Sequence, residues 1–315
     1  MNQKRKPAFA GRGAHLQYRV LMALFRLAMT RGLYGRFARG LGRFFDPENA
    51  VIVDIGGAAP FRVRLADGYW TRFALRGPPY EPEIARVMAA AEPHTDCFVD
   101  LGANTGFWTL KAAKLFQRVI AVEAGKKTFR RLQENTDCLA RVALHRAAVH
   151  ACSRRQLRFV TPELSHASAR LSEEAKDGTD RSEIVETVSV DDLVPEGTAA
   201  LIKLDVEGAE VAAFDGAARA FADGAVFIYE DHGGDPTCEP SAWLLSRGGF
   251  RLWSIGKTPM EITSTAQLRT LKKDPYKGYN FLVAQDGTPL LSAILDSLQS
   301  AGREANSEDQ FREDP

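Results

Sequence analysis

Two acids placed where strands should end carry the first chemistry legible in this chain. Asp100 follows the apolar Phe98-Val99 and leads into Leu101-Gly102-Ala103-Asn104-Thr105-Gly106, a glycine turn that opens a helix at Phe107-Trp108. Gly102 and Gly106 can bend the backbone sharply and bring it close to a ligand, while Asp100 can accept from an amino or cationic group above the turn. About twenty residues on, where an acid that meets a ribose belongs, the run Val119-Ile120-Ala121-Val122 ends in Glu123.

The glycine spacing separates one class of ligand from another. A dinucleotide turn reads G-x-G-x-x-G and sets a helix N-terminus against a pyrophosphate, but this one reads D-x-G-x-x-x-G. The pattern favours a ligand without phosphates, such as S-adenosylmethionine. Its carboxylate would sit near Asn104 and Thr105, its amino group at Asp100 or a backbone carbonyl, and its ribose hydroxyls at Glu123. Phe107 and Trp108 can offer aromatic faces to a sulfonium or serve the core.

A second cluster is Ile202-Lys203-Leu204-Asp205-Val206-Glu207-Gly208-Ala209-Glu210, and a third is Phe227-Ile228-Tyr229-Glu230-Asp231-His232. Each reads as an apolar strand delivering acids to the carboxyl edge of a sheet, where open α/β sheets bind ligands. Asp205 is the leading candidate for a general base toward a hydroxyl or amine, with Glu207, Glu230 and His232 beside it. Lys203 can pair with Asp205, and Glu210 reads as a helix N-terminal charge. Asp205, Glu230 and His232 can also hold a hard divalent ion, although the spacing assigns no metal site.

Bulk properties restrict the class. The 315 residues carry a net charge of +1 and 45% hydrophobic residues, enough for one large α/β core. Cys97, Cys138, Cys152 and Cys238 form no C-x-x-C pair, which argues against a disulfide framework or zinc and for a reducing cytoplasm. Residues 1–45 hold ten Lys or Arg and no acid, with Leu16, Val20, Ala23, Leu24 and Leu27 at helical spacing. That segment fits a helix lying on a membrane surface, on its own domain or on a second subunit of an oligomer.

The elements that must position these groups alternate strand and helix, as a parallel sheet requires. Strands are expected at 97–101, 118–123, 142–146, 200–205, 225–230, 250–255 and 279–284. Helices are expected at 83–91, 105–116, 126–138, 208–222 and 239–247. Val51 to Val53, Phe61 to Leu65 and Tyr69 to Phe73 alternate like strands around Asp67-Gly68 and suggest a β-hairpin lid. The domain plan is a basic helical extension (1–48), the lid (49–80), a main domain (81–290) and a tail (291–315) disordered from Arg303 onward. Within the main domain, residues 151–190 read as a hairpin insertion over the acceptor pocket, with His166 as a substrate contact.

These blocks together resemble the FkbM family of S-adenosylmethionine-dependent methyltransferases, roughly over residues 60–285. The Asp100–Gly106 turn, Glu123 and the Lys203–Glu210 block carry the resemblance, with Tyr80-Glu81-Pro82, Gly216, Glu230-x-His232 and Asn280 in support. It implies a class I methyltransferase sheet, Rossmann-like and mostly parallel with an antiparallel last strand. It also implies O-methylation of a hydroxyl on a sugar, polyketide or related metabolite. The chain departs from the family after Glu123, where Ala124-Gly125-Lys126-Lys127 stand in place of a frequent proline.

Two other classes compete. A nucleic-acid or protein methyltransferase would be guided by the basic N-terminus, but the Asn/Asp-Pro-Pro-aromatic turn suited to base amino groups is missing after the fourth strand, so no nucleic acid is expected. Asp274-Pro275-Tyr276 stands elsewhere and reads as a turn. A non-catalytic partner-binding module would be free to lose Asp100, Gly102 or Glu123, and all three are present.

Overall fold

The computed structural model describes residues 7–28, 44–76, 80–161, 170–172, 181–256 and 258–310; His166 and residues 311–315 lie outside them. The strands are β1 (Ala8–Ala10), β2 (Ala50–Val53), β3 (Phe61–Arg64), β4 (Cys97–Leu101), β5 (Arg118–Val122), β6 (Val142–His145), β7 (Ala148–Val149), β8 (Gln156–Thr161), β9 (Arg170–Ser172) and β10 (Arg181–Val188). They continue with β11 (Leu201–Leu204), β12 (Val226–His232), β13 (Phe250–Ser254), β14 (Met260–Ile262) and β15 (Gly278–Gln285).

The central sheet runs β14-β13-β15-β12-β11-β4-β5-β6. β4 pairs in parallel with β5 on one side and β11 on the other, and β11 pairs in parallel with β12. β15 enters antiparallel between β12 and β13. All five residues of β4 are buried, as expected for a strand covered on both faces. Because the chain leaves β4 toward β5 and later returns to β11 on the opposite flank, a crevice opens beyond their carboxyl ends. Asp100 and Asp205 arrive there.

Several expectations need correction. Tyr69 to Phe73 form no strand; Trp70–Arg76 is a helix. The Asp67 carboxylate accepts from the backbone N–H groups of Tyr69 and Trp70, and this capping overrides the period-two pattern. The hairpin expected around Asp67-Gly68 is therefore absent; β3 pairs instead with β2, and β1 joins them to make a three-stranded sheet. The expected helix 208–222 splits into Glu210–Asp215 and Ala218–Ala222. Between them Gly216 packs so tightly on backbone that a Cβ would lie 2.7 Å from the His150 carbonyl. An additional edge strand, β14, pairs with β13.

The C-terminal segment is also more ordered than expected. Pro289–Gln310 is a helix, which replaces the expected tail. Its Leu291, Ile294 and Leu298 are buried in the same cluster as Ile84, Val87 and Met88 of the helix Pro82–Ala91. The helix Ala14–Ala28 buries Ala14 and Leu21 in that cluster too, and its Gln17 accepts from the Asn49 amide at 2.9 Å. Ala14 and Leu21 thus pack this basic helix on its own domain, while Leu16 is 59% exposed. Among the described residues no helix is long and apolar enough to cross a membrane.

Candidate active site

A cavity of about 590 Å³ occupies the crevice, and Asp100, Gly102, Asn104, Glu123, Asp205, Glu207, Glu230 and His232 all line it. Thr105 and Gly106 do not. Thr105 is buried behind the turn, where its N–H donates to the Asn104 Oδ1 and its carbonyl accepts from Asn135. Gly106 adopts a left-handed φ of 94°, and a Cβ there would meet Leu132 at 2.8 Å. Gly102 has a similar role: a Cβ would sit 1.8 Å from the Asp205 carbonyl oxygen. These two glycines let protein segments cross closely, and Gly102 also lines the cavity.

Asp100 is fully buried at the end of β4. Its Oδ2 accepts from the Thr109 hydroxyl at 2.6 Å, while Oδ1 is buried without a partner. Burial raises its pKa, and the neighbouring Lys203 charge and the Thr109 bond oppose the rise. A buried acceptor with no donor destabilises the empty site and favours a ligand that brings one. The ammonium of a methionine moiety supplies such a donor.

Glu123 differs in being satisfied. Its carboxylate accepts from the backbone N–H of Asn104 at 3.0 Å and of Gly125 at 2.9 Å. Burial nevertheless pushes its pKa up to about 7, against the pull of those two bonds. Asn104 holds the turn: its Oδ1 also accepts from the Trp70 indole at 3.1 Å, tying the helix Trp70–Arg76 to the glycine loop.

The other half of the cavity is built on Lys203. Its ammonium donates to Asp205 at 3.0 Å and is nearly buried. Burial opposes that charge, but Asp205, Asp100 and Glu81 surround it and hold its pKa above the ordinary lysine value. Glu207 stands just beyond, with a left-handed φ of 45°, and burial together with Asp205 and Glu210 raises its pKa to about 7. Glu210 turns back to accept from the Gly208 N–H at 3.1 Å and does not line the cavity. Glu230 extends from β12 against Gly278, where a Cβ would lie 2.1 Å from its Oε1. Burial, then repulsion from Asp205, Glu81 and Glu207, lifts its pKa to about 8.

His232 is exposed at the rim, and its Nδ1 accepts from the Gly234 N–H at 3.0 Å. That bond occupies one ring nitrogen of His232 and holds the ring beside the Gly233-Gly234 turn. Among the described residues no group of three His, Cys, Asp or Glu side chains could hold a metal, so Asp205, Glu230 and His232 do not form the divalent site their spacing allowed.

Further residues close the cavity that sequence reasoning did not assign to chemistry. Glu81 has a left-handed φ of 41° and accepts from the Trp108 indole at 3.0 Å. Asn280 on β15 donates to Glu83 at 3.2 Å, and the Tyr69 and Tyr80 hydroxyls lie 2.7 Å apart. Phe107 and Trp108 also line it, as does Tyr276, 92% exposed at the mouth on the Asp274-Pro275 turn.

A doubly wound sheet with one antiparallel strand inserted, carrying an acid-lined cavity at its switch point, defines a class I methyltransferase fold. Residues 100–252 match the methyltransferase FkbM domain. It is 28% identical over 195 residues to the hexuronic acid methyltransferase AglP of Haloferax volcanii, covering 60% of this chain and 77% of that one. The solved methyltransferase FkbM of Methylobacillus flagellatus KT aligns at a TM-score of 0.38 with 16% identity, over 60% of this chain and 43% of that one. The present chain thus spans less than half of that protein. An O-methyltransferase from Bacillus cereus in complex with SAH aligns at a TM-score of 0.38 with 13% identity, over 66% and 82% of the two chains.

Proposed function

We propose that this protein transfers a methyl group from S-adenosylmethionine to a hydroxyl of a sugar or related small molecule, with Glu230 as the general base. The observation that carries this reading is the division of labour among the buried acids. Asp100 offers a partnerless oxygen to an ammonium, and Glu123 stands where ribose hydroxyls would meet it. Glu230 carries a raised pKa and no hydrogen bond from the described residues. S-adenosylmethionine supplies an electrophilic methyl on a sulfonium. The protein's tasks are then to align an acceptor oxygen with it and to take the proton.

Glu230 suits the proton step better than Asp205, the first choice on sequence. The Oδ2 of Asp205 is occupied by the Lys203 ammonium, so accepting a proton there would leave that buried ammonium without its ion-pair partner. In this reading Lys203 and Asp205 orient the acceptor, and the Tyr69, Tyr80 and Tyr276 rings form a surface suited to a sugar face. That AglP is named for a hexuronic acid supports a sugar acceptor.

The test uses labelled S-adenosylmethionine with neutral, amino and uronic hexosides. The expected product keeps its label through mild alkali, as a methyl ether does and an ester does not. Glu230→Gln should lower transfer by about 10²–10⁴-fold. Alkali-labile or nitrogen-bound label, or undiminished transfer in the variant, would overturn the assignment.

A further inference from the structure

The insertion between β7 and β11 makes contacts that the family fold and the acid cluster do not explain. β8, β9 and β10 form a second sheet with β7, in the order β7-β10-β8-β9. β7 supplies the cavity-lining Ala148 and Val149, and β10 pairs with both through Thr187 and Val188. From β8, Phe159 turns inward. It lines the cavity, packs with Ala148, Val185 and Ala124, and would lie 3.3 Å from a Cβ on Gly125. Phe159 therefore faces the wall made by Glu123, Ala124 and Ala148, away from Glu230.

One side chain fastens this sheet to the cavity. Glu183 on β10 accepts from the backbone N–H of Lys126 at 2.8 Å and from Arg146 at 2.9 Å. Lys126 begins the helix Lys126–Thr136, whose own N-cap, Gly125, offers no side chain to its first N–H groups. Glu183 provides the missing cap from another sheet. Arg146 follows β6, so a single carboxylate joins the two loops that carry Glu123-Ala124 and Ala147-Ala148.

We propose that the insertion is a cofactor wall, with Phe159 covering the adenine face and Glu183 as the positioning residue that fixes its distance from Glu123. This rests on the methyltransferase reading and replaces the expectation that the hairpin covers the acceptor. A flat aromatic base gains from an aromatic side chain on one face. Gly125 leaves room for the ring where a larger residue would not.

Calorimetry with two ligands tests it. S-adenosylhomocysteine carries adenosine and the amino-acid arm, whereas 5′-methylthioadenosine carries adenosine without that arm. Phe159→Ala should weaken both by the same factor, tenfold or more, and Phe159→Tyr should restore both. Asp100→Asn should weaken only S-adenosylhomocysteine. Glu183→Ala should weaken both ligands equally, with partial recovery in Glu183→Gln, which keeps an acceptor for the Lys126 N–H. If Phe159→Ala does not fold, Phe159→Leu keeps an apolar side chain and removes only the aromatic face. Wild-type affinity for 5′-methylthioadenosine in the Phe159 and Glu183 variants would overturn the proposal. Failure of the wild type to bind either ligand would instead overturn the methyltransferase reading.

Discussion

Glu123 and Glu230 are both carboxylates forced into a low-dielectric cleft, with pKa values raised to about 7 and about 8, yet they are held in opposite ways. Glu123 is fastened by two backbone N–H groups of the loops beside it. Glu230 is surrounded by other acids and pressed against a glycine. A satisfied acid has a fixed geometry and can select a ligand; an unsatisfied one has a free lone pair and a reason to take a proton. In the proposed reading the same burial therefore serves binding on one side of the cavity and proton transfer on the other.

Removing the proton acceptor is the largest expected break in that contrast. Glu230→Gln should leave S-adenosylhomocysteine affinity unchanged while lowering turnover by about 10²–10⁴-fold. Equal losses in affinity and turnover would show that the two sides are not separable. Moving the carboxylate without deleting it should cost less: Gly278→Ala forces Glu230 from its place and should reduce kcat by about tenfold at unchanged cofactor affinity. Unaltered kcat in that variant would mean that the position of Glu230 is not critical.

Proton linkage sharpens the comparison further. A base with a pKa of about 8 must be ionised to act, so kcat/KM should rise with pH through about 8 in the wild type. Stability should move the other way. The folded protein keeps the Glu230 proton up to about 8, whereas the unfolded chain releases it near 4.5, so stability falls as pH climbs between those values. Glu230→Gln should remove that share and stabilise the protein at pH 9 by roughly 2 kcal/mol, after discounting for partial exposure, with little gain near pH 4. Thermal melts at both values check the sign; equal shifts would mean that folding leaves the Glu230 pKa where it is in the unfolded chain.

The parallel core was readable in the sequence because its strands are buried on both faces and appear as mostly apolar runs leading to Asp100, Glu123 and Asp205. Local pattern failed where one side chain outweighed it. Tyr69 to Phe73 alternate like a strand, but the Asp67 cap makes them a helix, which places Trp70 over the glycine turn. Chemistry that needs residues distant in sequence was hidden for another reason. Nothing near Glu183 announces that it caps a helix beginning at Lys126. Likewise, only the fold reveals that Gly278 leaves room for Glu230, whereas the Lys203–Asp205 pair was legible from their spacing on one strand.

The central claim is that one side of the cavity binds the cofactor and the other does the proton chemistry. Titration calorimetry with S-adenosylhomocysteine tests it most directly, on the wild type, Asp100→Ala, Glu123→Ala and Glu230→Gln. The account predicts binding by the wild type and Glu230→Gln at matching affinity, with a loss of about tenfold or more in the other two. Folded wild-type protein that does not bind, or a loss in Glu230→Gln as large as in Asp100→Ala, would contradict it.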